Sequence, residues 1–287
     1  MSGNGQLGDY LRARRELVRP EDVGLPVVGQ RRVSGLRREE VAMLAGISSD
    51  YYLRLEQGRD HNPSVQVLES LGRVLQLDET ATSYLIGLAA PQTRKRARRH
   101  RRETVPEGIR QLLATIGMPA FVESRHFDVL AANDLARAVS PNLRVGQNRL
   151  KALFLDPGEQ ALCPNHELAM SHLVAGFRQS VGTDVDDPRV VQIVGELSLA
   201  SEQFRRLWAR HDVQVRVGTQ TPMYHPQVGE LMLYKDRLAV DASEGLVLVI
   251  YHAAPGTDSA EKLALLASLA APSAPELSAR AMDATDG

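Results

Sequence analysis

Residues 36–60 read LRREEVAMLAGISSDYYLRLEQGRD. The stretch divides into two helical runs, each of about ten residues, around one glycine turn. Helices joined so tightly must cross closely, and Ala42 and Ala45 supply the small side chains that a close crossing needs. Gly46 tolerates the positive φ of a tight turn, and Ile47 is the apolar group such a turn buries. In the second helix Tyr52 and Leu55, three apart, form the buried side. The leading face stays polar with Ser48, Ser49, Asp50 and Arg54, and Ser49 is also placed to cap the helix. This is what a helix-turn-helix needs: the second helix enters the major groove while the first braces it across the backbone. Glu56 follows buried Leu55, turns toward the body of the fold, and is expected to pair with Arg15. Gly58 is expected to end the helix in a left-handed cap, which leaves Arg59 where a phosphate would run.

The surrounding sequence reads as helices. LGDYLRARRELV, from Leu7, places Leu7, Leu11 and Val18 on one side. A Pro/Gly-rich connection of unusual length, 18–35, then leads to the paired helices. NPSVQVLESLGRVLQL carries Val65, Leu68, Leu71 and Leu75 at helical spacing, with Ser64 as N-cap. DETATSYLIGLA opens on an Asp cap and stops before Pro91. The expectation is a unit of five helices without strands. Beyond it, seven of the nine residues from Arg94 to Arg102 are Lys or Arg. Such a run is a solvated linker or, beside a DNA-binding unit, a set of phosphate contacts.

Charge divides the chain in the same place. Residues 1–102 hold 18 Lys/Arg against 12 Asp/Glu, and residues 103–287 hold 16 against 23, within a net charge of −1 over 287 residues. A basic front and an acidic rear suggest two domains with different partners. Cys163 is the single cysteine, so neither an internal disulfide nor a multi-cysteine metal site is expected, and a reducing cytoplasm follows. No apolar run approaches the roughly 18 residues of a membrane span, and MSGNGQLGDY lacks the basic and apolar parts of a signal peptide.

The rear half changes texture. PEGIRQLLATI reads as a helix, and PAFVES and FDVLAAN as two short strands. DLARAV, RLKALFL, ELAMSHLVAGFRQSVG, DPRVVQIVGELSLA and SEQFRRLWARHD read as helices. VQVRVGT, TPMYHPQVG, ELMLYKDRLAV and LVLVIYHAA read as strands before a last helix, SAEKLALLASL. The class is α+β: an all-α head, then an antiparallel sheet covered by helices. No H-E-x-x-H, G-x-S-x-G or glycine-rich phosphate loop occurs, so neither an enzyme nor a cofactor is expected.

The stretch from Leu36 to Arg59, together with Arg15, resembles the Cro/C1-type helix-turn-helix regulators. The resemblance implies base contacts from Ser48, Ser49, Asp50, Leu53 and Arg54, and phosphate contacts from Arg38, Gln57 and Arg59, with Asn62 a further candidate. Asp50 has a second reading, as a cap that repels phosphate. Tyr51 either reaches a phosphate or covers the core, and Arg31 and Arg32 either reach the backbone or are only solvated. FDVLAAN, LFLDP, DDPRVVQIVGELS, FRRLWARHDV, HPQVGEL and YHAAPGTDSAEKLALL extend the likeness. With the head they are similar to the MmyB-like regulators, over roughly residues 7–269. That resemblance implies a DNA-binding domain joined to a PAS-like ligand-binding domain; with the charge run and the polar, Ala-rich end of the chain, the expected division is 1–92 for the first, a basic linker over 93–104, 105–271 for the second and a loose tail over 272–287. It also implies homodimers on double-stranded operator DNA and a small apolar or fatty-acid-like metabolite. Where the family carries an aromatic before Asn133, this chain has Ala132, which enlarges or reshapes the cavity if that position lines it.

A pocket for an apolar molecule needs large apolar walls and a few orienting polar groups. Candidate walls are Phe121, Leu130, Phe154, Met170, Phe177, Trp208 and Met223, each of which also suits plain core packing. Candidate polar groups are Asn133, His211, Tyr224, His225 and Tyr251. Asn133 is equally placed to cap the helix after it, and the histidines to serve as structural groups. Two readings of the rear domain follow: a ligand-responsive sensor, or a filled module for dimerisation or protein contact.

Overall fold

A computed structural model describes residues 3–26, 31, 33–60, 62–90, 103–213, 220–241, 243 and 245–270. The basic run 94–102, the strand expected over 213–219 beyond Val213, and the tail 272–287 lie outside the described residues. The chain forms two compact units. One is drawn from Met1–Arg101 and Glu167–Arg216, the other from Arg102–His166 and Val217–Gly287. No helix among the described residues is long and apolar enough to cross a membrane.

The first unit opens with the five expected helices: α1 (Gly3–Leu17), α2 (Arg38–Ala45), α3 (Ser49–Glu56), α4 (Val65–Val74) and α5 (Glu79–Ala89). Side chains fix their starts. Ser64 Oγ accepts from Val67 N at 3.4 Å, and Asp78 Oδ1 accepts from Ala81 N at 2.8 Å. The extended backbone of Ala90, the residue before Pro91, ends α5. Leu7, Tyr10, Leu11, Leu36, Val41, Tyr52, Leu55, Leu68, Leu71 and Leu85 form one buried core. The long connection contains a 3-10 turn, Pro20–Val23. Arg31 anchors its far end with two hydrogen bonds to the Glu40 carboxylate, at 2.9 and 2.7 Å, so this arginine has a structural partner.

The second unit supplies α6 (Glu107–Thr115), β1 (Ala120–Glu123), β2 (Val129–Ala132), α7 (Asp134–Val139), α8 (Arg149–Leu155) and α9 (Pro157–Ala161). After an excursion through α10 (His166–Val181), α11 (Pro188–Ala200) and α12 (Glu202–Ala209), it resumes with β3 (Gln220–His225), β4 (Gly229–Ala239), β5 (Val247–His252) and α13 (Asp258–Ala270). The five strands form one antiparallel sheet in the order β2-β1-β5-β4-β3. Alternate side chains serve opposite faces. Phe121, Leu231, Leu233, Val249 and Tyr251 pack with Leu135 and Val139 of α7 and Leu263 and Leu266 of α13. Ala120, Val122 and Leu248 pack on the other side with Leu113 of α6. This is the α+β arrangement expected from the sequence, with helices on both faces of the sheet.

The excursion α10–α12 groups with the helical head. Phe204 stacks on Trp208 with centroids 5.8 Å apart, and Phe177 lies 6.0 Å from the same indole. Buried Arg178 sits 3.8 Å over Trp208 and donates to the Trp208 carbonyl at 2.6 Å. Arg14 of α1 pairs with Asp212, His211 packs against Tyr10 at 6.2 Å, and Tyr84 of α5 donates to the Gly182 carbonyl at 3.5 Å.

Candidate functional site

The turn between α2 and α3 forms as its residues require. Gly46 adopts φ 71°, and Ile47 N donates to the Ala42 carbonyl at 3.0 Å. Ala42 and Ala45 are buried. The cap of α3 is Ser48, not Ser49: Ser48 has extended backbone, and its Oγ accepts from Tyr51 N at 3.1 Å. Ser49 has already entered the helix, so its hydroxyl is not in capping position. At the other end Gly58 takes φ 64°. Gly58 N donates to the Leu55 carbonyl at 3.1 Å and Arg59 N to that of Arg54 at 2.9 Å, the paired closure of a left-handed cap.

Tyr52, Leu55 and Glu56 hold the inner side of α3 in the core. The expected pair forms: Arg15 Nε donates to Glu56 Oε1 at 2.6 Å, and Arg15 Nη1 to the Leu36 carbonyl at 2.9 Å. Arg38 adds a second cation to this carboxylate, with Nε 2.7 Å from Oε2, while its own side chain stays 45% exposed. Burial opposes ionisation of Glu56, but the hydrogen bonds from Arg15 and Arg38 outweigh it and hold the carboxyl below the usual range. An anchor of this kind fixes the rotation of α3 and therefore which side chains face outward.

Outward stand Ser48, Ser49, Asp50, Arg54, Gln57 and Arg59, all exposed, with Tyr51 and Leu53 half-buried at the edge. Arg54 pairs with Asp50 one turn earlier and lies 5.7 Å from the Tyr51 ring. In the free protein the Asp50 carboxylate thus engages the guanidinium suited to reading a base. The face offers hydroxyl, amide and guanidinium donors on one short rod, the groups that recognise base edges and phosphates.

The pocket candidates separate by unit. Met170, Phe177, Trp208 and His211 belong to the helical unit, where burial, followed by Arg178 and Arg14, pushes the His211 imidazole down to about 3. Phe121, Leu130, Asn133, Phe154, Met223, Tyr224, His225 and Tyr251 belong to the sheet unit. Phe121 and Met223 share one core with Tyr251, and Phe154 is buried. Tyr224 is 53% exposed. Asn133 caps α7, accepting from Ala136 N at 2.9 Å, and donates to the Met118 carbonyl at 2.7 Å. His225 Nε2 lies 2.9 Å from the Ala138 carbonyl. An open cleft of about 570 Å³ runs beside edge strand β2, lined by Leu113, Leu130, Ala132, Asn133, Leu135 and Ala267 among others. Ala132 therefore lines a concave surface. Among the described residues no cluster of His, Cys, Asp and Glu could hold a metal ion.

Sequence reasoning passed over a buried polar group in the sheet unit. Glu123 is fully buried, with Arg149 of α8 and Arg237 of β4 each 2.7 Å from its carboxylate. The two arginines lie 26 and 114 residues away, and no local pattern announces them. The only hint is a glutamate at the end of the apolar run AFVE.

Two family profiles match the chain. "Helix-turn-helix domain" matches residues 6–85, and "MmyB-like transcription regulator ligand binding domain" matches residues 105–266. Comparison with curated proteins finds no match. With the ligand-binding-domain match covering more than half of the chain and a helix-turn-helix domain ahead of it, the chain belongs to the MmyB-like transcription regulators and is a DNA-binding regulator of transcription.

Proposed function

We propose that the protein acts as a homodimer on double-stranded operator DNA, and that a small apolar or fatty-acid-like metabolite in a PAS-like rear domain sets its affinity for that DNA. The observation that carries the DNA half is the orientation of α3. Its buried side is clamped by Tyr52, Leu55 and the Arg15–Glu56 pair, and its polar leading turn is exposed. Ser48, Ser49, Asp50, Leu53 and Arg54 then meet base edges, while Arg38, Gln57 and Arg59 meet phosphates. In a dimer two such helices enter successive major grooves about 34 Å apart. The basic run 94–102 adds phosphate contacts and salt sensitivity.

The ligand half draws support from the family match and from the five-stranded antiparallel sheet with helices on both faces. The family profile counts α10–α12 with the ligand-binding domain, yet these helices pack in the same compact unit as α1–α5. A molecule that shifts their packing therefore acts on the DNA-binding helices through Tyr84–Gly182, Arg14–Asp212 and Tyr10–His211. It changes DNA affinity only by binding two arrangements unequally.

The test is solvent extraction of the purified full-length chain with mass spectrometry of the extract, followed by fluorescence anisotropy on a selected duplex with and without the recovered molecule. A stoichiometric amphiphile that shifts the affinity supports the reading. An empty extract, with no DNA response across a metabolite panel, favours the rear domain as a filled dimerisation module.

A further inference from the structure

Helix α11 is apolar on two opposite sides. Val190, Ile193 and Leu197 are buried in the helical unit. Pro188, Val191, Gly195 and Leu199 recur at i, i+3, i+7 and i+11, which sets them in one stripe on the far side. All four are exposed, Val191 at 56% and Leu199 at 88%, the highest exposure of any large apolar side chain among the described residues. Helices that are apolar all round are normally covered. Single exposed apolar residues are ordinary, but a continuous stripe marks a contact surface.

Gly195 gives an independent sign. A glycine in the middle of a helix lowers its stability relative to alanine. Nothing described in the chain requires one here: a Cβ built on Gly195 meets no atom within 4 Å. The room it leaves opens outward, where a small residue lets a second helix approach closely. The flank beside the stripe carries opposite charges two turns apart. Arg189 Nη1 donates to Gln192 Oε1 at 3.0 Å, and Gln192 Nε2 donates to Glu196 Oε1 at 2.8 Å.

We propose that α11 is the joint between two copies of this chain, packed antiparallel about a two-fold axis at Gly195. Val191 of one copy then meets Leu199 of the second copy, and the two glycines face each other at the crossing. The charged flank meets itself with its direction reversed. Arg189 thus lies beside Glu196 of the second copy, about 7.5 Å away along the helix axis and within reach of two long side chains. A parallel two-fold pair would set this flank against Val194 and Ser198, which offer no counter-charge. The charges therefore select a second copy and its direction. This rests on the homodimer reading above and adds the surface that joins the dimer. Because α11 shares a compact unit with α1–α5, a joint here fixes the separation of the two α3 helices.

The test uses the full-length chain in sedimentation velocity across a dilution series. The parent is expected to dimerise. Leu199→Glu should raise its dimer dissociation constant about 100-fold or more, since two leucines lose their cover in each dimer. Gly195→Leu should raise it at least about 10-fold by holding the helices apart. At high dilution the Gly195→Leu chain should keep its far-UV circular dichroism, with a urea midpoint equal to or above that of the parent, because leucine favours a helix over glycine. Arg189→Glu and Glu196→Arg should each self-associate about 3- to 10-fold more weakly than the parent. An equal mixture of those two variants should recover parent-like dimers, because opposite charges then meet across the joint. Gly195→Leu losing fold and dimer together, or a mixture no tighter than either variant alone, would overturn the proposal. A parent that is monomeric at every concentration removes this surface together with the homodimer, and leaves the stripe to a different protein. A dimeric parent whose Leu199→Glu form stays dimeric removes the surface alone.

Discussion

Arg15→Met tests the clamp that orients α3. The substitution keeps most of the apolar stem and removes the donors to Glu56 Oε1 at 2.6 Å and to the Leu36 carbonyl at 2.9 Å. Glu56 has no exposed side-chain surface, so its charge cannot turn to water, and among the described residues Arg38 remains as its cation. Breaking a buried pair by deleting one partner costs about 3–5 kcal/mol. The surviving Arg38 bond places this case near the lower end, about 3 kcal/mol. In a unit of this size that lowers the melting temperature by roughly 6–12 °C. Removing both charges in Arg15→Met/Glu56→Met should recover most of the loss, because no unpaired carboxylate remains. The assay is thermal and urea unfolding of parent, single and double variants, followed by far-UV circular dichroism. A single variant within about 1 kcal/mol of the parent, or a double variant no better than the single, would refute the reasoning.

Further outcomes follow from the same geometry. A Cβ built on Gly8 would lie 2.2 Å from the Glu56 carbonyl oxygen, a backbone atom, so Gly8→Ala should unfold the head at least 2 °C lower per kcal/mol lost, with a loss of about 2 kcal/mol or more by chemical denaturation. Ser48→Ala removes the cap of α3 and should lose about 1 kcal/mol by the same measurement. His211 titrates near 3 when folded and near 6.5 when unfolded, so its contribution is fully present above pH 6.5 and is lost as the pH falls toward 3. His211→Asn should therefore flatten stability against pH in that window, measured by urea titration. Replacing the basic residues of 94–102 with Ser should reduce the slope of log affinity against log salt; an unchanged slope would make the run a linker.

Much of the head was legible because its signals are local. The glycine turn at Gly46, the caps at Ser64 and Asp78, and the helical spacing of apolar side chains sit within a few residues of what they determine. Even the long-range Arg15–Glu56 pair could be read, since Glu56 adjoins the buried Leu55. Ser48 took the capping role assigned to Ser49 because consecutive serines present the same chemistry, and only the backbone angles choose between them. How closely the two backbones approach was not legible: Gly8 looks like any helical glycine until the Glu56 carbonyl lies against it. In the sheet unit β1, β2, β4 and β5 follow their apolar runs, and α9, only five residues long, lacks enough turns for a periodic signal. Arg237 lies in the run ELMLYKDRLAV with no local sign of a partner, yet it pairs with buried Glu123, supplied by another strand. The grouping of α10–α12 with the head depends on isolated partners such as Tyr84 and Gly182, which carry no mark in sequence.

The central claim is that the exposed turn of α3 reads base edges. Its most direct test compares Arg54→Ala with the parent on two duplexes, one selected by the protein from a random pool and one of scrambled sequence, at fixed salt. The account predicts a loss of about 1–3 kcal/mol on the selected duplex and almost none on the scrambled one. An equal loss on both would assign Arg54 to the phosphate backbone and contradict the claim.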